Sequence, residues 1–182
     1  MVSKYNSIEQ LILGMKREDT RQKRIAMIFR WLYIVLGMPY ILRFVILPDA
    51  DMTLNDRLSG AFIGAGMLVF AVVFWMQHRR LKSLDYAQPV LKFLQSSLKR
   101  YRFWKPIIFP VLLAAAFVGA GLTINWLDER PEQYTVTQWI AIVQLAWWGM
   151  LGVSLTIGYV VWRYRVRPLF MAIKRILLEA VE

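Results

Sequence analysis

The stretch IIFPVLLAAAFVGAGLTINWL, Ile107 to Leu127, decides the fold. It contains no charged side chain, and a helix of about 20 such residues is the length that crosses a roughly 30 Å hydrocarbon layer. A helix lying on a soluble core would keep a polar stripe toward water, and none is present here. Working outward, three further apolar runs share this character: Ile25 to Leu47, Leu58 to Gln77 and Trp139 to Trp162. With 58% of the 182 residues hydrophobic, the expectation is an all-α, integral membrane four-helix bundle. It is read as a single membrane domain over 1–182, with spans at about 25–47, 58–77, 107–127 and 139–162.

The ends of the runs carry side chains suited to a membrane edge. Trp31, Trp75, Trp104, Trp126, Trp139 and Trp162 lie near run ends, where an amphipathic ring matches the headgroup zone. Trp147 and Trp148 lie deeper and are expected between helices. No small-residue cleavage site follows the first run, so a removable signal peptide is not expected.

Charge then orients the chain. The net charge is +11, and all but four of the 23 Lys and Arg residues fall in residues 1–24, 78–105 and 163–175. The exceptions are Arg30, Arg43, Arg57 and Arg130. The two remaining loops hold Asp49, Asp51, Asp56, Asp128, Glu129 and Glu132. Positive-inside bias therefore places both termini and the 78–105 segment in the cytoplasm of a bacterial inner membrane, with short acidic loops outside. The same bias accounts for the basic balance, so nucleic acid is not an expected partner.

The three basic segments are also amphipathic. In HRRLKSLDYAQPVLKFLQSSLKR, His78 to Arg100, helical spacing places Leu91, Leu94 and Leu98 on one face, continued by Tyr101 and, upstream, by Leu84 and Ala87. Lys92, Gln95, Lys99 and Arg100 fall on other faces. Pro89 predicts a kink or a new helix start. Ser7 and Gln10 have capping-box spacing ahead of Ile8, Leu11, Ile12 and Met15, and Phe170, Ile173, Leu177 and Val181 align after Pro168. Amphipathic cytoplasmic helices are thus expected at about 7–16, 84–101 and 168–181. Three destinations are open to them: the lipid surface, one another, or a protein partner, including a second copy.

Within the spans, Gly60 and Gly64, together with Gly119 and Gly152, are candidate close-packing positions, because small residues let helix backbones approach. Pro39 is expected to kink the first span. Arg43, Asn125 and Gln144 are the candidate intramembrane polar residues. Arg43 either reaches water through its long stem, pairs with an acid of an outer loop, or attracts an anionic group.

Catalytic chemistry finds no support. The chain has no cysteine, and its lone histidine, His78, sits in a basic QHRR run at a membrane edge. Phosphate-binding, zinc-protease and nucleophile-elbow motifs are missing, and the spans carry no acid between Asp56 and the outer loop at Asp128 to relay protons. Neither an enzyme nor a cofactor nor a metal is expected.

The segment LKSLDYAQPVLKFLQSSLKRYRFWKP, Leu81 to Pro106, taken with four spans and amphipathic ends, resembles a group of small four-span membrane proteins of Bacteroidetes-type bacteria. Several of those are encoded beside extracytoplasmic-function sigma factors. At residue level the resemblance covers Leu81 to Lys105, in an Asp-Tyr pair, a proline and the KRYRFW ending. It implies an accessory or regulatory membrane role. The expected function is a non-enzymatic scaffold or regulator that contacts membrane lipid and presents a cytoplasmic face to a protein partner or to itself. The alternative is a small transporter or channel, or a subunit of one, with Arg43, Asn125 and Gln144 along the pathway.

Overall fold

The computed structural model describes residues 8–86, 88–102 and 107–179, and within them the chain is helical without a strand. Helix α1 (Ile8–Ile41) runs into a π stretch over Leu42–Ile46; α2 (Leu54–Lys82), α3 (Val90–Tyr101), α4 (Ile108–Leu127) and α5 (Val136–Val161) follow. A second π stretch, Trp162–Val166, leads into α6 (Arg167–Glu179). Four stretches are long and apolar enough to cross a membrane: Ile8–Ile46, Leu54–Lys82, Ile108–Leu127 and Val136–Glu179. Ser7, Ala87, Trp104, Lys105 and Val181, which figured in the sequence reading, lie outside the described residues.

Two of the expected amphipathic helices are continuous with spans. The 7–16 segment, from Ile8 on, is the first part of α1, because no Gly or Pro stands between Lys16 and Arg24 to stop it. Glu18 supports that stretch through Arg21 at 3.8 Å and Gln22 at 3.3 Å. The 168–181 segment, as far as Glu179, continues α5 through the π stretch, a wide turn that accommodates Pro168, which has no N–H to offer the preceding turn. The central segment does start anew: Pro89 caps α3, and its carbonyl accepts from the Phe93 N–H at 3.0 Å. Leu84 therefore belongs to the α2–α3 loop. Helix α1 passes through Pro39, and the irregularity comes later, at Leu42–Ile46.

At the end bearing the acidic loops, helix starts are set by reciprocal caps. Thr53 and Asp56 close one on α2, and Thr135 and Gln138 close another on α5. The Trp139 indole donates to the Trp126 carbonyl at 2.6 Å across the α4–α5 loop.

Helix α2 packs against α1 on one side and α4 on the other, and α5 packs on α4. Between α1 and α2, Phe29, Tyr33, Phe70 and Phe74 stack with centroids 4.9–6.2 Å apart. Gly60 lies under Phe44, and Gly64 under Ile41 and Tyr40. Between α2 and α4 the close approach belongs to Gly66 and Gly121: a Cβ on Gly121 would stand 2.8 Å from the Ser59 carbonyl oxygen. There the buried Ser59 hydroxyl donates to the Gly121 carbonyl at 3.0 Å. Gly119 receives the Trp147 ring of α5.

Gly152 departs from expectation. Among the described residues no atom of another element lies within 4 Å of a Cβ placed there, so it packs against none of the other described helices. The reason is that α5 buries no residue: it touches α4 along one edge, and Gly152 points away from that edge.

Gly121→Ala should therefore destabilise the detergent-solubilised protein by roughly 1–3 kcal/mol, as a methyl forced against backbone does. Gly152→Ala should be neutral or stabilising by up to about 1 kcal/mol through helix propensity alone. Thermal unfolding of the two variants side by side reads the difference.

Candidate functional site at the basic end of the bundle

At the end where α1 begins and α2 finishes, three segments distant in sequence close on one another. Leu11 and Met15 of α1, Phe93, Leu94 and Tyr101 of α3, and Val166, Leu169 and Ile173 of the α6 region form one buried cluster. Leu98, Phe170 and Leu177 pack against it half-buried. Of the three destinations open to the amphipathic faces, the structure shows one another.

A polar group sits in the flank of this cap. Leu11, Met15 and Asp19 recur every four residues, so Asp19 continues the buried stripe of α1, and it is 3% exposed. Its Oδ1 accepts the Tyr101 hydroxyl at 2.9 Å, and its Oδ2 accepts the Tyr86 hydroxyl, also at 2.9 Å. The Arg100 guanidinium lies 3.1 Å from Oδ2 and also donates to the Ser97 hydroxyl at 2.8 Å. The Trp162 indole donates to the Tyr101 carbonyl at 2.9 Å, which ties the α5–α6 junction to the same point. A carboxylate removed from water costs several kcal/mol unless it is paired and hydrogen-bonded. Here one cation and two hydroxyls meet it, and Arg100 Nε is left buried without a partner.

The charge of Asp19 acts back on the phenols. Burial pushes the Tyr101 hydroxyl above the usual tyrosine range, and the neighbouring carboxylate adds to that, against an opposing pull from Arg100. Tyr86 is pushed up to about 12, again by burial first and by Asp19 second. Both phenols therefore stay protonated and donating through neutral pH. The arrangement is a latch: its carboxylate is occupied on both oxygens, and it joins α1, the α2–α3 loop and α3.

Sequence reasoning picked the right segments and a rotated face. On α3 the buried stripe is Phe93, Leu94, Ser97 and Tyr101, whereas Leu91 is 51% exposed. Arg100, expected outward, is turned in, where it meets the buried Asp19 and, on its own helix, the buried Ser97 hydroxyl. Leu84 is half-buried in the loop. Asp19, Tyr86 and Arg100 were missed as a group. The readable signal was an acid at four-residue spacing after Leu11 and Met15 inside a basic segment.

The three intramembrane polar candidates do not meet. Arg43 pairs with Asp49 of the following loop at 3.7 Å, both well exposed, which selects the loop-acid alternative. Asn125 is exposed near the end of α4. Gln144 donates to the Gly119 carbonyl at 3.1 Å and the Thr123 hydroxyl at 2.7 Å, so it clamps α5 to α4. Among the described residues no hydrogen bond or ion pair links any two of them.

Four apolar helices and a packed cap at one end define a helical multi-pass membrane protein. Comparison with protein-family models, with curated proteins and with solved structures finds no match.

Two outcomes follow. Asp19→Asn removes the charge that Arg100 was buried to meet, and breaking such a pair costs roughly 3–5 kcal/mol. Since the chain has no cysteine, an Ile173→Cys probe should react slowly with a soluble maleimide in the parent and much faster in the Asp19→Asn background. With pH the sign is that of a raised acid: the neutral Tyr86 contributes stability that is full below its ordinary value of 10.0 and is lost as pH climbs through about 12. The Ile173→Cys probe should accordingly stay protected up to about pH 10, and Tyr86→Phe should remove one high-pH step from the tyrosinate absorbance titration.

Proposed function

We propose that the protein is a non-enzymatic scaffold or regulator of a bacterial inner membrane that presents its helical cap, as one rigid unit, to a cytoplasmic protein. The observation that carries this reading is the cap itself: the Asp19–Arg100 latch fixes α3 against α1, and the apolar cluster closes α6 on both. Leu91 of α3 and Met171 and Leu178 of α6 stand 51%, 53% and 60% exposed on the cap. Lys92, Lys99 and Lys174 are exposed on the same helices, and Arg175 is paired with Glu179 at 2.9 Å. Exposed apolar residues accompanied by three lysines, Lys92, Lys99 and Lys174, suit a partner segment that is amphipathic and acidic.

The cytoplasmic placement of the cap rests on the distribution of basic residues. The bacterial setting, and a sigma-factor regulator as one particular partner, rest on the resemblance over Leu81 to Lys105. Its recurring residues include Tyr86, Arg100 and Tyr101, three members of the latch, which ties the resemblance to the element the proposal depends on.

Photo-crosslinking amino acids at Leu91 and Met171 test the reading in intact cells. A discrete heterologous protein adduct from these outer positions is the expected result, with only intramolecular products from Leu94 and Ile173 inside the cap. Lipid adducts alone at Leu91 and Met171 would dismiss partner presentation.

A further inference from the structure

The last turns of α2 carry a surface that the cap leaves unused. His78 Nδ1 lies 3.2 Å from the Lys23 carbonyl oxygen, which can only accept, so the ring donates and levels the two helices there. That level is where the apolar run of α1 begins, at Ile25, and where the run of α2 ends, at Gln77. On the polar side of it α2 bears Arg79, Arg80 and Lys82; one turn to the apolar side it bears Trp75 and Met76, each 43% exposed. These five residues and Ser83 line an open groove of about 600 Å³ in which, among the described residues, no acid takes part.

The groove has two chemically different halves. The Arg79 guanidinium lies 5.3 Å from the centroid of the Trp75 ring, at the seam between them. The Ser83 hydroxyl donates to the Arg80 carbonyl at 3.2 Å, so its proton is committed and recognition falls to the three cations. Val72, 50% exposed one turn above Trp75 and Met76, extends the apolar half into the layer.

We propose that this groove binds one anionic phospholipid, its phosphate held by Arg79, Arg80 and Lys82 and its acyl chains laid along Trp75, Met76 and Val72. A free phosphate would satisfy the cations and leave the apolar half uncovered. A zwitterionic lipid would bring a cation of its own against three others. The anionic phospholipid matches both halves at the depth that the His78–Lys23 bond sets.

Native mass spectrometry of the purified full-length chain, with phosphatidylglycerol and phosphatidylcholine offered together, tests the headgroup half. Each cation close to an anionic headgroup contributes roughly fivefold in affinity, so Arg79→Gln/Arg80→Gln/Lys82→Gln should weaken phosphatidylglycerol binding by about tenfold or more. Arg163→Gln/Arg165→Gln/Arg167→Gln, with the same change in net charge, should leave it close to the parent. Equal losses in the two triple variants would reduce the effect to diffuse charge and overturn the proposal. So would displacement of phosphatidylglycerol by inorganic phosphate. The apolar half is tested without touching a cation: phosphatidylglycerol brominated on its acyl chains should quench parent tryptophan fluorescence more than that of Trp75→Phe, and equal quenching would overturn the site.

Discussion

A single buried carboxylate organises one end of this protein. Asp19 sits on the polar segment of α1 ahead of its apolar run, yet with almost no access to water. A charge so placed must be answered from several directions at once, and the answers come from Arg100, Tyr101 and Tyr86. Because these lie on α3 and on the loop before it, meeting the charge of one residue positions a whole helix. The apolar cluster of Leu11, Met15, Leu94, Leu169 and Ile173 supplies cohesion between the segments. The polar pairing supplies their register, since hydrophobic contact is non-directional and would tolerate a rotated α3.

The spans are held by a different economy of contact. In lipid the hydrophobic effect does not drive helices together, so association rests on close packing and on hydrogen bonds between them. Helices α1, α2 and α4 meet through glycines and stacked rings, and Ser59 adds a hydrogen bond where α2 and α4 come nearest. Helix α5 is attached more sparingly, by Gln144, by the Trp147 indole donating to the Ala115 carbonyl at 3.0 Å, and by Trp139 at the acidic end. Leu151 packs beside Trp147 on the α2–α4 cluster, and further ties lie beyond the span, in the cap. The membrane region and the cap are thus joined through the same two long helical stretches, α1 and α5–α6, and a shift of the cap would be felt by the least buried span.

The latch was the least legible feature, for a physical reason. Charged residues in amphipathic segments ordinarily face water, so a periodicity argument assigns Arg100 and Asp19 outward by default. Reversing that assignment needs knowledge that the two come together across 81 positions of sequence, and helical spacing carries no such information. The small rotation of α3 accompanies it: Leu94 and Tyr101 are buried as expected and Leu98 half-buried, while Phe93 turns in and Leu91 stays out on a helix whose Arg100 faces Asp19. Gly152 teaches the same lesson in the spans. A small residue permits close approach, but the partner helix decides whether the approach is made.

What the sequence determined by itself was what local physics sets: the four apolar stretches, from hydrocarbon thickness; the alternation of basic and acidic segments, from charge; an interruption at Pro89, as a kink or a helix start, from the missing N–H; and the amphipathic character of the basic segments, from period. What only the tertiary structure decided was which surfaces meet. It merged the terminal amphipathic segments into α1 and the α5–α6 stretch, closed their faces on one another, and moved the tightest α2–α4 approach to Gly66 and Gly121. These outcomes depend on pairings between residues far apart in the chain, and a pairing of that kind is a property of two surfaces together, which neither stretch of sequence contains alone.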